Sequence, residues 1–284
     1  MSQKNTMGFI RWLTPSFLFG QLHAIDQERR IDGLSPEEEA RERIRVWQII
    51  GLACLCLLLV HYGKYSSNLT SLVKWFSEFT SDPAVYRAYY HYEYRELLGY
   101  IWWGSINLLG FLIIPMLAIR YWFKDSLNEY GWQWGEVHHH WRGYVLLASP
   151  IMVFAVIASF GDDFSRHYPF YNQAHRSWFD LISWEMIYIL QFVAVEFFFR
   201  GYLVNGLKRQ FGSLSIAVMC LPYLMLHFPK LWPESFGAIL FGFFLGVLAL
   251  MSRSIWGGVM VHVSIALMMD FAALVQTKGF PTHW

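Results

Sequence analysis

The sequence is poor in charge. Asp, Glu, Lys and Arg make up 15% of its 284 residues, whereas soluble domains carry nearer a quarter. Hydrophobic residues account for 55%, the mean hydropathy is +0.30, and the apolar residues stand in long runs. A net charge of +1 and the lack of any basic, aromatic-interleaved patch give no sign of a nucleic-acid partner. The composition therefore predicts an all-α, polytopic helix bundle in a membrane.

Cysteine is scarce as well. Cys54, Cys56 and Cys220 lie inside apolar runs, where a thiol behaves as a small hydrophobe, and their spacing is not that of a metal site. A cleavable signal peptide is not expected, because the first 46 residues hold seven Lys or Arg and no apolar core of the required length.

Seven apolar segments predict about seven transmembrane helices. They cover approximately residues 46–62, 99–119, 143–160, 178–206, 213–228, 235–251 and 255–276. We divide the chain into an N-terminal arm with a capped helix (1–45), membrane helices with interfacial segments (46–177), core helices (178–276) and a tail (277–284). With the arm inside, the inner loops hold most of the 22 Lys and Arg, which favours a cytoplasmic N-terminus.

Four local patterns accompany these segments. Residues 35–38 (Ser-Pro-Glu-Glu) form a capping box that opens a charged helix. The loop at 63–98 is typical of an interfacial helix. The tract His138–His140 is a weak metal signal, because neighbours in sequence point to different sides of a helix. Ala238, Gly242 and Gly246 form a small-residue stripe that favours close helix packing.

Ionisable residues inside the apolar runs indicate function, because burying a charge in a bilayer is costly. Glu196 lies in an otherwise apolar stretch, and Arg200, one helical turn later, is its predicted partner. His227 and His262 occupy later segments. Glu196 and His227 each lie 14 residues from the turn near residues 210–213, so a helical hairpin places them at matching depth, about 21 Å from it.

His262 is shallower, about 12 Å past the turn at residues 252–254, so its convergence needs a tilt or an offset of the helices. Asp270 shares the face of His262 two turns on, and Glu234 stands at the outer start of the sixth segment. A structural ion pair or hydrogen-bonded packing histidines would explain each residue alone. Together they favour a polar functional cavity.

The ordered motifs resemble the CAAX-protease and bacteriocin-processing family of intramembrane proteases, also called the Abi family. The chain has Glu196-Phe-Phe-Phe-Arg200-Gly-Tyr-Leu, then Tyr223-Leu-Met-Leu-His227, then His262-Val-Ser-Ile-Ala266. The resemblance covers about residues 178–276. It implies a catalytic core made of these helices, with Glu196, His227 and His262 catalytic and Arg200 and Tyr223 supporting. Glu234 and Asp270 are extra acids that the family pattern does not require. We count them as supporting residues, since either could replace a lost function.

Two positions depart from the family pattern. Val195 stands where the resemblance implies a water-activating glutamate, and Ala266 where it implies an oxyanion-binding asparagine. In a divergent active member, Glu196 with His227 serves as base and His262 donates to the oxyanion. Glu196, His227 and His262 also make a zinc ligand set, which is less favoured than a metal-free site.

The leading interpretation is an endopeptidase that cleaves a membrane-anchored, prenylated or otherwise lipidated peptide by glutamate- and histidine-activated water. Its partners are then membrane lipids and that peptide, without nucleic acid. A catalytically inactive relative that binds or presents membrane peptides is the second interpretation, favoured by Val195 and Ala266. A membrane carrier is the third, and it is weakened by the lack of an internal repeat.

Overall fold

The computed structural model describes residues 14–27, 35–229 and 232–284, and the regular elements in these ranges are all helical. The helices are α1 (Pro15–Gln27), α2 (Pro36–Gly63), α3 (Ser66–Phe79), α4 (Pro83–Tyr90), α5 (Arg95–Phe123), α6 (Val137–Ala158), α7 (Asp162–His167), α8 (Trp178–Phe211), α9 (Leu214–Met225), α10 (Trp232–Ser252) and α11 (Trp256–Gln276), with a 3₁₀ turn at Leu127–Tyr130. The predicted all-α class is confirmed.

Helices α2, α5, α6, α8, α10 and α11 are long and apolar enough to cross a bilayer, and α9 is a shorter apolar helix. Their number agrees with the prediction of about seven spans, and the chain is an integral membrane protein. The predicted arm at 1–45 is described only at 14–27 and 35–45. The other residues of the arm lie outside the described ranges. So does Lys230, one of the 22 Lys and Arg used above to predict the orientation in the membrane.

The start of α2 confirms the predicted capping box. The backbone N–H of Ser35 donates to Glu38 Oε2 at 2.8 Å, and the backbone N–H of Glu38 donates to Ser35 Oγ at 3.3 Å. Each side chain thus satisfies an amide that has no partner within the helix, and Pro36 follows at the first helical position, where no amide is needed.

Helix α8 changes its winding directly after Glu196. Residues Phe197–Asn205 form a π-helical stretch in which every residue is buried. Three consecutive phenylalanines lie in this stretch, together with Arg200. Because a wider turn rotates the following side chains relative to a regular α-helix, π segments often occur at functional sites.

The described residues within 1–54, 115–151 and 195–262 form one compact unit, called unit 1 here. In unit 1, α9 packs against α10 along the predicted small-residue stripe. A Cβ at Gly242 would lie 2.9 Å from Tyr223 Cδ1, and one at Gly246 would lie 2.8 Å from Ile216 Cγ2. The stripe is confirmed as a packing surface, and it brings Tyr223 against α10.

Residues 55–114, 152–194 and 263–284 form the second compact unit, unit 2. Its core is aromatic and centres on Trp184, which is 1% exposed. The Trp184 ring lies 4.8 Å from that of Tyr100 and 4.9 Å from that of Tyr188. Helices α3 and α4, which confirm a helical segment in the predicted interfacial loop, also belong to unit 2.

Candidate active site

Glu196 is the centre of a buried ion pair in unit 1. Its side chain and that of Arg200 are fully buried, and Glu196 Oε1 lies 3.0 Å from Arg200 Nη1. The pair joins residues four apart on α8, so the predicted partner is confirmed. The guanidinium offers a fixed positive charge that offsets the carboxylate where water does not reach it.

His262 also contacts the Glu196 carboxylate. Its Nδ1 lies 2.8 Å from Glu196 Oε1, and its ring packs edge-on against Phe241 with centroids 4.9 Å apart. With a proton on Nδ1, His262 keeps that nitrogen at the carboxylate and presents Nε2 as an acceptor. The shallower depth read from the sequence therefore does not prevent convergence of these two residues.

A glycine one turn before His262 makes this approach possible. A Cβ at Gly258 would overlap Glu196 Oε2, and a Cβ at Gly257 would overlap the Tyr144 ring. Both glycines precede the His262 motif at the start of α11. Their small size permits the close approach of α11 to a buried carboxylate.

Tyr223 contacts both Arg200 and His262. The Arg200 guanidinium lies over the Tyr223 ring at 4.3 Å from its centroid, a cation–π geometry. The Tyr223 hydroxyl lies 3.3 Å from His262 Nε2. With His262 protonated on Nδ1, the hydroxyl donates to Nε2. Glu196, Arg200, His262 and Tyr223 thus form one connected, almost fully buried network.

His227 reaches this network through Tyr223. It follows the end of α9, its Nδ1 lies 2.9 Å from the Tyr223 carbonyl oxygen, and the two rings are 4.8 Å apart. Its own carbonyl accepts a hydrogen bond from Ser235 Oγ at 2.7 Å, in the first turn of α10. Glu234 precedes that serine and is half-buried. Both predicted residues therefore lie in unit 1.

Asp270 belongs to unit 2 and has different surroundings. It is fully buried, and its Oδ2 accepts a hydrogen bond from Trp184 Nε1 at 2.6 Å. Glu185, which the sequence analysis did not single out, stands beside Trp184 on α8 and interacts electrostatically with Asp270. Glu185 was detectable by the same rule as Glu196, as an acid inside an apolar run.

The two departures from the family pattern are both buried. Val195 is 6% exposed and lies in unit 1 directly before Glu196, so an apolar side chain stands where an acid is implied. Ala266 is 5% exposed and packs in the aromatic core of unit 2. In that core a methyl group is well accommodated, and a polar amide would need partners.

No group of three or more His, Cys, Asp or Glu with a metal-binding arrangement occurs among the residues that the structure describes. The zinc set at Glu196, His227 and His262 stays a prediction. In the histidine tract, the rings of His138 and His139 are 3.9 Å apart, and His140 Nε2 lies 4.0 Å from Glu136 Oε2.

Residues 176–268, about a third of the chain, match the family described as Rce1-like, type II CAAX prenyl endopeptidase. This segment contains Glu196, Arg200, Tyr223, His227 and His262, and the match confirms the resemblance to the CAAX-protease and bacteriocin-processing family. Comparison with curated proteins and with solved structures gave no match.

Proposed function

We propose that this membrane protein, related over residues 176–268 to a family of CAAX-type proteases, is an intramembrane endopeptidase that cleaves a membrane-anchored or lipidated peptide. The observation that carries the proposal is the buried carboxylate of Glu196, held between Arg200 and His262. A charged network of this kind is costly in a membrane, and proton transfer is a chemical task that justifies it.

The geometry favours a division of roles that differs from the one expected from sequence. Glu196 Oε1 is already engaged by the Arg200 guanidinium and by His262 Nδ1, so Glu196 acts through His262. It holds Nδ1–H and stabilises the imidazolium that forms when Nε2 takes a proton from water. This arrangement replaces the glutamate that the family pattern has at Val195.

Tyr223 supplies the hydrogen-bond donor that Ala266 lacks. Its hydroxyl rests 3.3 Å from His262 Nε2. When a water molecule takes this place at Nε2, the hydroxyl is released to donate to the oxyanion that develops on the scissile carbonyl. His227, whose ring packs on Tyr223, then gives a proton to the leaving amine.

The proposed surroundings follow from the membrane location. The substrate reaches the site from the bilayer by its lipid or membrane anchor, and the N-terminal arm lies on the cytoplasmic side because positive charge is concentrated there. Labelling of single engineered cysteines in α1 with an impermeant reagent tests this orientation. Labelling only from outside intact cells would reverse it.

The activity is tested with purified protein in liposomes and a library of membrane-anchored peptides. We expect wild-type cleavage, a loss of at least about 100-fold in His227→Ala, and a similar loss in Glu196→Gln, by the usual contribution of an acid–base group. Tyr223→Phe removes only the hydroxyl and should lower kcat more than it changes KM. Equal cleavage by wild type and Glu196→Gln would exclude the role given to Glu196.

A catalytically inactive peptide-binding relative is the second candidate, favoured by Val195 and Ala266. Under that alternative, wild type cleaves no peptide of the library but retains some of them in a pull-down from detergent. The double variant Val195→Glu/Ala266→Asn then decides the matter. Cleavage that appears only in the double variant assigns the chain to the inactive class.

A further inference from the structure

Helix α3 has three faces of different character. One stripe is buried or half-buried against the protein, the second is polar and exposed, and the third is apolar and exposed. The three stripes are Leu69, Thr70, Val73 and Ser77; then Ser67, Ser71, Lys74 and Glu78; then Leu72, Trp75, Phe76 and Phe79. At 100° per residue their centres are spaced by roughly a third of a turn.

The protein-facing stripe is fixed to its own unit. Thr70 Oγ1 lies 3.2 Å from the Tyr89 hydroxyl on α4, and the Ser77 hydroxyl donates to the Asp82 carbonyl at 2.6 Å. At the start of α3, a Cβ on Gly99 of α5 would lie 3.2 Å from Ser66 Cβ. These contacts fix the rotation of α3 about its axis, so the apolar stripe cannot turn inwards.

The apolar stripe is large and well formed. Its four side chains are between 47% and 74% exposed, and the rings of Trp75 and Phe79 stack with centroids 5.4 Å apart. Exposed apolar patches on a helix often mark a surface that contacts a membrane or another protein. Lys74 and Glu78 lie 4.0 Å apart on the polar stripe, so that side carries both signs of charge.

The position of α3 in the chain indicates what its apolar stripe contacts. The spanning helix α2 ends at Gly63, α3 begins at Ser66, and the next spanning helix, α5, begins at Arg95. A helix tied this closely to the end of a span lies at the membrane surface. Trp and Phe beside a mixed-charge stripe suit the boundary between headgroups and acyl chains.

We propose that α3 is an interfacial membrane anchor. Its apolar stripe inserts into lipid, while its polar stripe, which carries Lys74 and Glu78, faces water. The partner of this surface is the bilayer itself, independent of whether the chain cleaves peptides. The helix then fixes the depth and tilt of the spans that flank it, α2 and α5.

The test uses nitroxide labels on the full chain in lipid nanodiscs, with Cys54, Cys56 and Cys220 replaced by alanine. Leu72→Cys and Phe79→Cys report the apolar stripe, while Lys74→Cys and Glu78→Cys are the matched controls. We expect oxygen, which partitions into lipid, to collide with the labels at 72 and 79 several-fold more than a water-soluble nickel chelate. At positions 74 and 78 we expect the nickel chelate to collide with the labels more than oxygen does.

Two results would overturn the proposal. Labels at 72 and 79 that prefer the nickel chelate, as those at 74 and 78 do, would mean that the stripe faces water. Labels that are protected from both reagents would mean that a protein surface, such as a second copy of the chain, covers it. Trp75→Cys provides an independent third position if either apolar-stripe variant purifies poorly, and it is judged by the same criteria.

Discussion

Units 1 and 2 each bury a carboxylate on a membrane-spanning helix, and they hold it in different ways. Glu196 in unit 1 lies 3.0 Å from Arg200 and 2.8 Å from His262, both of which can carry positive charge. Asp270 in unit 2 receives its hydrogen bond from the neutral indole of Trp184. The first arrangement stabilises an ionised acid and supports proton transfer, whereas the second needs only an acceptor oxygen.

The difference shows why a buried acid alone does not identify a catalytic residue. By the sequence criterion, Glu196, Asp270 and Glu185 are equivalent, since each interrupts an apolar run. What separates them is the charge and the chemistry of their neighbours. We therefore propose Glu196 for the reaction centre and propose a structural role for Asp270, which accepts a hydrogen bond from Trp184.

The largest expected effect is on stability. Glu196→Gln leaves the buried Arg200 guanidinium without its counter-charge, so the free energy of unfolding should fall by about 3–5 kcal/mol. Asp270→Asn keeps an oxygen that accepts from Trp184 and should cost about 1 kcal/mol or less. Denaturant unfolding in detergent micelles measures both values.

A double variant serves as the control for this stability prediction. Glu196→Gln combined with Arg200→Met removes both charges, and it should recover most of the stability lost in Glu196→Gln. If Glu196→Gln is as mild as Asp270→Asn, the two carboxylates are held alike and the comparison fails.

The next effect concerns activity and uses the same two units. His262→Ala removes the group that we propose accepts the proton from water, and we expect peptide cleavage to fall by at least about 100-fold. Asp270→Asn should leave cleavage within a few-fold of wild type, because its partner is structural. Initial rates on a membrane-anchored peptide are measured for folded protein only. Loss of cleavage in Asp270→Asn would mean that Asp270 has a role in the reaction.

The smallest effect tests the close approach of α11 to Glu196. A Cβ at Gly258 would overlap Glu196 Oε2, so Gly258→Ala should destabilise the protein by about 1–3 kcal/mol, as overpacking commonly does. Gly237→Ala on α10 is the matched control. No atom lies within 4 Å of its Cβ, and alanine there should be neutral or stabilise by up to about 1 kcal/mol. Equal effects of both changes would contradict the close approach.

Much of the fold could be predicted from local sequence. The low charge and long apolar runs indicated the helical membrane class, and the capping box located the start of α2. The Gly242–Gly246 stripe predicted a face of α10 for close helix packing, and the structure identified α9 as the helix that packs there. These features depend on periodicity and on residues near one another in the chain. The π-helical stretch after Glu196 was not predicted, because helix winding depends on tertiary packing as well as on local sequence.

The candidate site was predicted as a set of residues but not as a geometry. The four-residue spacing was sufficient for the pairing of Glu196 with Arg200. The 2.8 Å contact of His262 with Glu196, and the hydroxyl of Tyr223 at His262 Nε2, required side chains from α8, α9 and α11 to meet. Depth along a helix gives one coordinate, and contact also depends on the rotation and tilt of each helix.

The sequence by itself determined that this chain lies in a membrane, which of its residues are polar against that apolar background, and which family they resemble. Only the tertiary structure decided which of those residues share a network. It added Tyr223 and His262 to the pair of Glu196 and Arg200 and left Asp270 with Trp184. The physical reason is that hydropathy and spacing are properties of one segment, whereas the neighbours that stabilise a buried charge come from several helices packed together.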